Sequence, residues 1–247
     1  GGYLGYSTYK DSNVEWLGEI PIDWETCHIK RLAEISYGVG GEIDRGITEG
    51  VNLLSLPNIK KDGTIFIDEV PKCILDETEK TDLLLQKGDL LFNWRNGSSE
   101  HLGKTGYFNL DGEWTHVSFL LKLHFNLSIE SRYFHYLLNG LRITGFFTSS
   151  KAGVNNTFNL SELKNLKVIY PPKNEQKQIA QFLNYKTAQI DALIAKKEAL
   201  LKKLSEQRSA IITQAVTKGL DPTVPMKDSG IEWLGKIPEH WKISKLK

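Results

Sequence analysis

Fifteen residues near the start of the chain return near its end. Residues 10–24 read KDSNVEWLGEIPIDW and residues 227–241 read KDSGIEWLGKIPEHW, identical at ten of fifteen positions, with Val14 conservatively replaced by Ile231. Two tryptophans and a proline stay in register. A repeat constrains architecture before any local signal is weighed. The offset of 217 residues far exceeds a solenoid unit of roughly 20–50 residues; it is the size of a whole domain plus a connector. Each copy therefore reads as a strap that opens a domain, its large rings serving as buried anchors. The second copy is followed only by residues 242–247, so a second, similar domain is expected to begin there and to be missing.

Between the copies the chain changes character once. Residues 26–170 are mixed: β-like runs at 51–56, 64–67, 90–92 and 114–124 are punctuated by Gly63, Gly88, Gly106 and Gly112, as turns between strands require. Residues 131–143 place Phe134, Leu137, Leu138 and Leu141 on one helical face. The fold class this predicts is a mixed α/β (α+β) globular domain. Pro171-Pro172 then interrupts the chain, and Asn174 can cap a helix whose first turn carries Glu175, favourable at the positive end of the helix dipole. No Pro or Gly follows until Gly219, which suits a C-terminal cap with Pro222 behind it. Apolar residues at Ile179, Leu183, Ile190, Leu193, Ile194, Leu200, Leu201, Leu204, Ile211 and Ala215 recur in steps of three and four. That pattern predicts one long amphipathic helix packed as an antiparallel coiled coil. Some forty residues at 1.5 Å each make a rod of roughly 60 Å, whose apolar stripe needs a partner helix. The basic-leaning segment 196–208 reads as a solvated face rather than a contact for DNA or a subunit.

The expected boundaries are a strap over 1–25, a globular domain over 26–172, the helix over 173–219, and a linker with the second strap over 220–247. No apolar run approaches the roughly 20 residues of a membrane span, and nothing at the N-terminus reads as a secretory leader. Cys27 and Cys73 are too few for a disulfide framework or zinc site and are expected as free thiols in the cytoplasm. The net charge of +1 neither supports nor excludes nucleic acid, because a DNA reader needs only a local cluster of cations.

Catalytic constellations are absent from the sequence. Gly103-Lys104-Thr105 has Ser98 where a phosphate loop needs glycine. Gly38-Val39-Gly40-Gly41 lacks the third glycine of a dinucleotide fingerprint. Tyr170-Pro171-Pro172-Lys173 has neither the amide or carboxylate nor the aromatic of an amino-methyltransferase motif. Glu162-Leu163-Lys164 has no upstream Asp to complete a nuclease metal site and reads as a turn capped by Ser161. The six histidines show no ligand spacing. The chain reads as a binder with no metal and no cofactor of its own.

Groove readout needs Arg, Lys, Asn and Gln on segments that can enter a groove, and phosphate anchoring needs cations, hydroxyls and amides. Three segments concentrate these types: residues 93–105, 149–157 and 38–46. The candidate DNA contacts are Asn93, Arg95, Asn96, Ser98, Ser99, His101 and Lys104 in the first, Lys151, Asn155 and Asn156 in the second, and Arg45 in the third. Gly, Ser and Asn are also ordinary loop residues, so each segment alone reads equally as a plain connection. Trp94 reads as a core anchor. Arg95 stands out, because a guanidinium in a Gly/Asn-rich loop suits bidentate contact with guanine or phosphate.

Taken together, the strap with Trp16, Pro21 and Trp24, the stretch from Gly88 to Gly97, Val154-Asn155-Asn156, residues 160–163, Pro171-Pro172 with Glu175-Gln176 and Ile179, and the returning strap resemble the specificity subunits of type I restriction–modification systems over nearly the whole chain. The resemblance implies a non-catalytic first target-recognition domain, a spacer helix, and the opening of a second domain. It implies binding to one half of an interrupted duplex DNA site. It also implies assembly with two methyltransferase subunits and with restriction/translocase subunits, to which S-adenosylmethionine, ATP and Mg belong. A half-subunit could pair with a second copy through Leu183, Ile190, Leu193, Leu200, Leu204 and Ile211. The competing reading, from the near-neutral charge, is a coiled-coil assembly scaffold that does not bind DNA.

Overall fold

The computed structural model describes residues 6–41, 46–68, 70–95, 99–149 and 157–244. The chain divides into two compact units, residues 1–184 and 185–247, with the division inside the long helix.

The first unit opens with a hairpin, β1 (Tyr9–Asp11) against β2 (Glu19–Pro21). It continues through β3 (Glu25–His28), β4 (Ala33–Tyr37), β5 (Val51–Leu54), β6 (Lys72–Cys73) and α1 (Glu77–Leu83). Next come β7 (Leu90–Asn93), β8 (Thr105–Tyr107), β9 (Trp114–His116) and β10 (Leu120–Phe125). Three helices, α2 (Ser131–Ile143), α3 (Phe146–Ser149) and α4 (Leu160–Asn165), lead to β11 (Lys167–Tyr170) and to α5 (Lys173–Lys218). β4, β10, β7 and β8 form an antiparallel sheet in that order, while β6, β5 and β9 form a second sheet in which β5 and β9 run parallel. β11 returns to pair with β3. Cys27 and Cys73 are free.

Why residues 90–92 read as an unbroken apolar run is now clear: β7 is buried on both faces. Leu90 and Phe92 join a core with Leu121, Leu123, Phe125 and the Phe134, Leu138 and Leu141 face of α2. Leu91 points the other way, into a core with Leu53, Leu54, Ile59, Phe108, Trp114 and Leu120. A strand between two cores has no polar alternation to show. Truncating a fully buried side chain such as Leu138 to alanine costs about 2–5 kcal/mol.

Several expectations need correction. The run 114–124 is not one strand. It turns at residues 117–119, where Leu120 N–H bonds the Val117 carbonyl (3.0 Å), because the chain passes there from the second sheet to the first. Residues 64–67 contribute only the bridge of Ile65 to Ile59. The cap of α4 is Asn159, whose carboxamide accepts from Glu162 N–H (3.1 Å) while Glu162 accepts from Asn159 N–H (2.7 Å); Ser161 lies inside the helix. Helix α5 begins two residues earlier than an Asn174 cap implies, at Lys173, since the Pro172 carbonyl accepts from Glu175 and Gln176 N–H (2.9 and 3.0 Å). The Gly219 cap is present, its N–H on the Ala215 carbonyl (3.2 Å).

In the second unit the rest of α5 is followed by β12 (Met226–Asp228) and β13 (Lys236–Pro238), an antiparallel pair. Its hydrogen bonds repeat those of the first hairpin. Ser12 N–H to the Gly18 carbonyl (3.0 Å) becomes Ser229 N–H to the Gly235 carbonyl (3.0 Å), and Trp24 N–H to the Pro21 carbonyl becomes Trp241 N–H to the Pro238 carbonyl, both 2.9 Å. Asn13 takes a left-handed φ of +53° and its counterpart Gly230 one of +68°, a region that asparagine tolerates and glycine favours. Along α5 the side chains of Ile190, Leu193, Leu200, Leu204 and Ile211 are exposed.

Candidate nucleic-acid interface

The bases of the three polar segments converge on the end of the first sheet. β7 delivers Trp94 and Arg95. Trp94 is half-buried, its indole N–H donates to the Ser118 carbonyl (2.7 Å), and its ring meets Tyr37 edge-on at 5.5 Å. This agrees with its reading as an anchor. The Trp94 carbonyl accepts from Phe158 N–H (2.7 Å), and Arg95 makes an antiparallel bridge with Thr157. The base of the 149–157 segment is thereby tied to the base of the 93–105 segment. The third segment joins through Val39, which bridges Val117 and accepts from Ser118 N–H (2.7 Å). Gly38 permits this: a Cβ there would stand 2.0 Å from the His116 carbonyl oxygen, so no other residue fits.

Arg95 is exposed and its guanidinium carbon lies 6.0 Å from the centroid of the Phe119 ring. Phe119 is 45% exposed and Tyr37 39%. Sequence reasoning passed over both. A phenylalanine in a run of large apolar residues gives no sign that it sits on a turn and faces solvent.

Burial removes two of the expected contacts. Asn93 is 0% exposed and its amide donates to the His101 carbonyl (3.0 Å), holding the two ends of its segment together. Lys104 is 6% exposed, and its ammonium donates to the Ile59 carbonyl (2.6 Å). Desolvation, then the nearby Arg142 and Lys61 charges, push its pKa below the usual lysine value. Neither side chain can meet a phosphate or base edge without breaking these bonds. His101 is half-buried in a short helical turn that also contains the backbone of Ser99. Arg45, Asn96, Ser98, Lys151, Asn155 and Asn156 lie outside the described residues.

A second group of cations was also missed. Lys60 lies 4.5 Å over the exposed Phe66 ring, Lys61 pairs with Glu100, and Arg142 donates to the Lys61 carbonyl (2.7 Å). Adjacent lysines ahead of Asp62-Gly63 were a readable signal of an exposed basic turn. Elsewhere, His124 Nδ1 lies 2.7 Å from the buried Asp89 carboxylate, which also accepts from Gln86 N–H (2.8 Å); this pair staples β10 to the turn before β7. His116 and His135 are buried, and desolvation lowers their pKa values to about 3 and about 4, with Lys122 adding to the first and Arg132 to the second. Among the described residues there is no group of three or more His, Cys, Asp or Glu able to hold a metal ion. Among the described residues no helix is long and apolar enough to cross a membrane.

The chain belongs to the type I restriction modification DNA specificity domain family, whose profile matches residues 21–203. It is 30% identical over 251 residues to the MjaX type I restriction enzyme specificity subunit of Methanocaldococcus jannaschii, covering 96% of this chain and 56% of that protein. It is 24% identical to the EcoKI type I specificity subunit of Escherichia coli, covering 93% and 48% respectively. The chain thus spans about half the length of the curated relatives it matches. Among solved structures, the fold is shared with the HsdS subunit of Thermoanaerobacter tengcongensis (TM-score 0.57, 20% identity, 86% of this chain and 48% of that one). It is shared also with a chain of a type I R-M assembly (TM-score 0.64, 19% identity, 81% and 47%).

Proposed function

We propose that this chain is the sequence-reading half of a type I specificity subunit. It binds duplex DNA at one half of a bipartite site and performs no chemistry itself. The observation that supports this reading most directly is the convergence of three polar segments on a rigid sheet end, where loops of variable sequence can be held in fixed register. Arg95 is the base-reading candidate. Arg45, Asn96, Ser98, Ser99, His101, Lys151, Asn155 and Asn156 are proposed as further contacts, while Lys60 and Lys61 suit phosphates. Residues 26–172 are the recognition domain, 173–219 the spacer helix, and the segments 1–25 and 220–247 the straps.

The exposed apolar row of α5 favours a scaffolding role beside DNA reading. It is suited to a second helix, supplied by a following half or by another copy of the chain. The proposed assembly takes two methyltransferase subunits, which bring S-adenosylmethionine, and restriction/translocase subunits, which bring ATP and Mg, in the cytoplasm.

Selection of the purified chain on a random duplex library tests this, with a methyltransferase subunit captured in parallel. An enriched short motif, with affinity falling linearly in log salt as phosphate contacts require, is the expected result. Capture of the methyltransferase with no motif enriched at any salt concentration would leave only the scaffold.

A further inference from the structure

Arg95 leaves the end of a strand, and its backbone is fixed by the Thr157 bridge. Phe119 sits on the turn between β9 and β10, which is fixed by the bonds of Ser118 N–H to the Val39 carbonyl and of Leu120 N–H to the Val117 carbonyl. Both backbones are thus rigid, while both side chains stand at the surface. Among the described residues the guanidinium meets an aromatic ring rather than a carboxylate. That difference matters chemically. A carboxylate would neutralise the cation and occupy two of its donors, whereas a ring face attracts the cation and leaves all five N–H groups free. The ring also removes rotamer freedom that a bidentate contact would otherwise have to remove on binding.

We propose that Phe119 is a positioning residue for Arg95: its ring holds the guanidinium fork outward at the mouth of the interface, so that Arg95 reaches a base edge preorganised. This rests on the reading of Arg95 as a base contact given above. Phe119 itself makes no hydrogen bond to the DNA. Its influence is confined to the base pair that Arg95 reads.

The chain carrying Arg95→Ala, Phe119→Leu, Phe119→Trp or the pair Arg95→Ala/Phe119→Leu is titrated against the selected duplex and against each single base-pair substitution of it. Phe119→Leu lowers discrimination about two- to fivefold, the size of an exposed cation–π contact, and only at the pair that Arg95→Ala relaxes. Phe119→Trp retains discrimination, and the double variant is no worse than Arg95→Ala alone. A uniform loss across all duplexes, a loss at a different pair, or additive losses overturns the proposal. Side-chain NMR of the free protein separates the Arg95–Phe119 contact from base reading by Arg95. A ring-current shift of the Arg95 Nε–Hε signal, abolished in Phe119→Leu, is expected without any DNA. Its absence overturns the cation–ring contact directly. If the shift is present but Arg95→Ala relaxes no base pair, the assignment of Arg95 fails and the positioning role falls with it.

Discussion

The two hairpins share sequence, hydrogen bonds and turn geometry, yet they are packed differently. In the first, Trp16 is half-buried, its ring 5.1 Å from Phe146 in α3, and it borders a groove of about 620 Å³ with Tyr133, Leu137 and Leu141. In the second, the equivalent Trp233 is 81% exposed. The second tryptophan of each strap, by contrast, is occupied in both units. Trp24 donates to the Glu175 carboxylate (2.8 Å) at the start of α5, and Trp241 lies beside Gly219 at its end. Local sequence therefore dictates the hairpin and its seat on the helix. What covers the first tryptophan is decided by the body beside it. An exposed ring of this size is an unsatisfied apolar surface, and the first copy shows the kind of aromatic platform that satisfies it.

Acid should separate the two units most strongly. His116 and His135 both lie in the first, and burial holds their folded-state pKa values below the ordinary histidine value. The unfolded chain therefore binds more protons below about pH 6.5, and stability present at neutral pH is lost as pH falls toward the folded values. The loss approaches tenfold in the folding constant per pH unit for each histidine, about 4 kcal/mol at most for both at pH 5. Urea denaturation at pH 7 and pH 5 checks this, with His135→Gln expected to flatten the dependence. A pH-independent midpoint would show that burial does not hold these rings neutral.

Removal of the paired tryptophans tests the packing difference itself. Trp16→Ala should cost about 2–3 kcal/mol, less than the 3–5 of a fully buried aromatic because Trp16 is only half-buried. Trp233→Ala should stay within about 0.5 kcal/mol, as surface changes do. Equal losses in thermal or urea unfolding would break the comparison. Acrylamide quenching sharpens it: Trp233 is expected to account for most of the accessible fluorescence.

The smallest effect concerns the turn where the copies differ in sequence. Gly230→Ala forces a Cβ into a left-handed conformation with open space around it, so the cost is that of the dihedral alone, about 1 kcal/mol. Asn13→Gly should change stability by no more than a few tenths of a kcal/mol, since asparagine already tolerates that region. Backbone amide exchange in each hairpin reads both. An unprotected first hairpin after Asn13→Gly would mean that the asparagine does more than accept the angle.

The elements legible in advance were those whose periodicity is local. Helix α2 has the bounds read from its apolar spacing, and α5 runs uninterrupted to Gly219 because nothing in its sequence breaks a helix. The β7 run was visible as a strand, although not as one shared between two cores. The candidate interface was legible as three polar segments but not as one place. Asn93 and Lys104 have the right chemistry for DNA and the wrong environment. Their N–H donors are taken up internally, by the carbonyls of His101 and Ile59, and no pattern of residue types announces which donor turns inward. Phe119 failed in the opposite sense, since its apolar neighbours hid a sheet-to-sheet turn.

By itself, then, the sequence determined the repeat, the hairpin conformations, the long helix and the residue types available to a groove, because backbone dihedrals, helix propensity and apolar spacing act over a few residues. Only the tertiary structure decided that segments 38–46, 93–105 and 149–157 share a root, that Asn93 and Lys104 are interior, that Phe119 lies under Arg95, and that Trp16 is covered where Trp233 is not. Those outcomes depend on contacts between residues far apart in the chain, whose energies are set by what else is desolvated beside them.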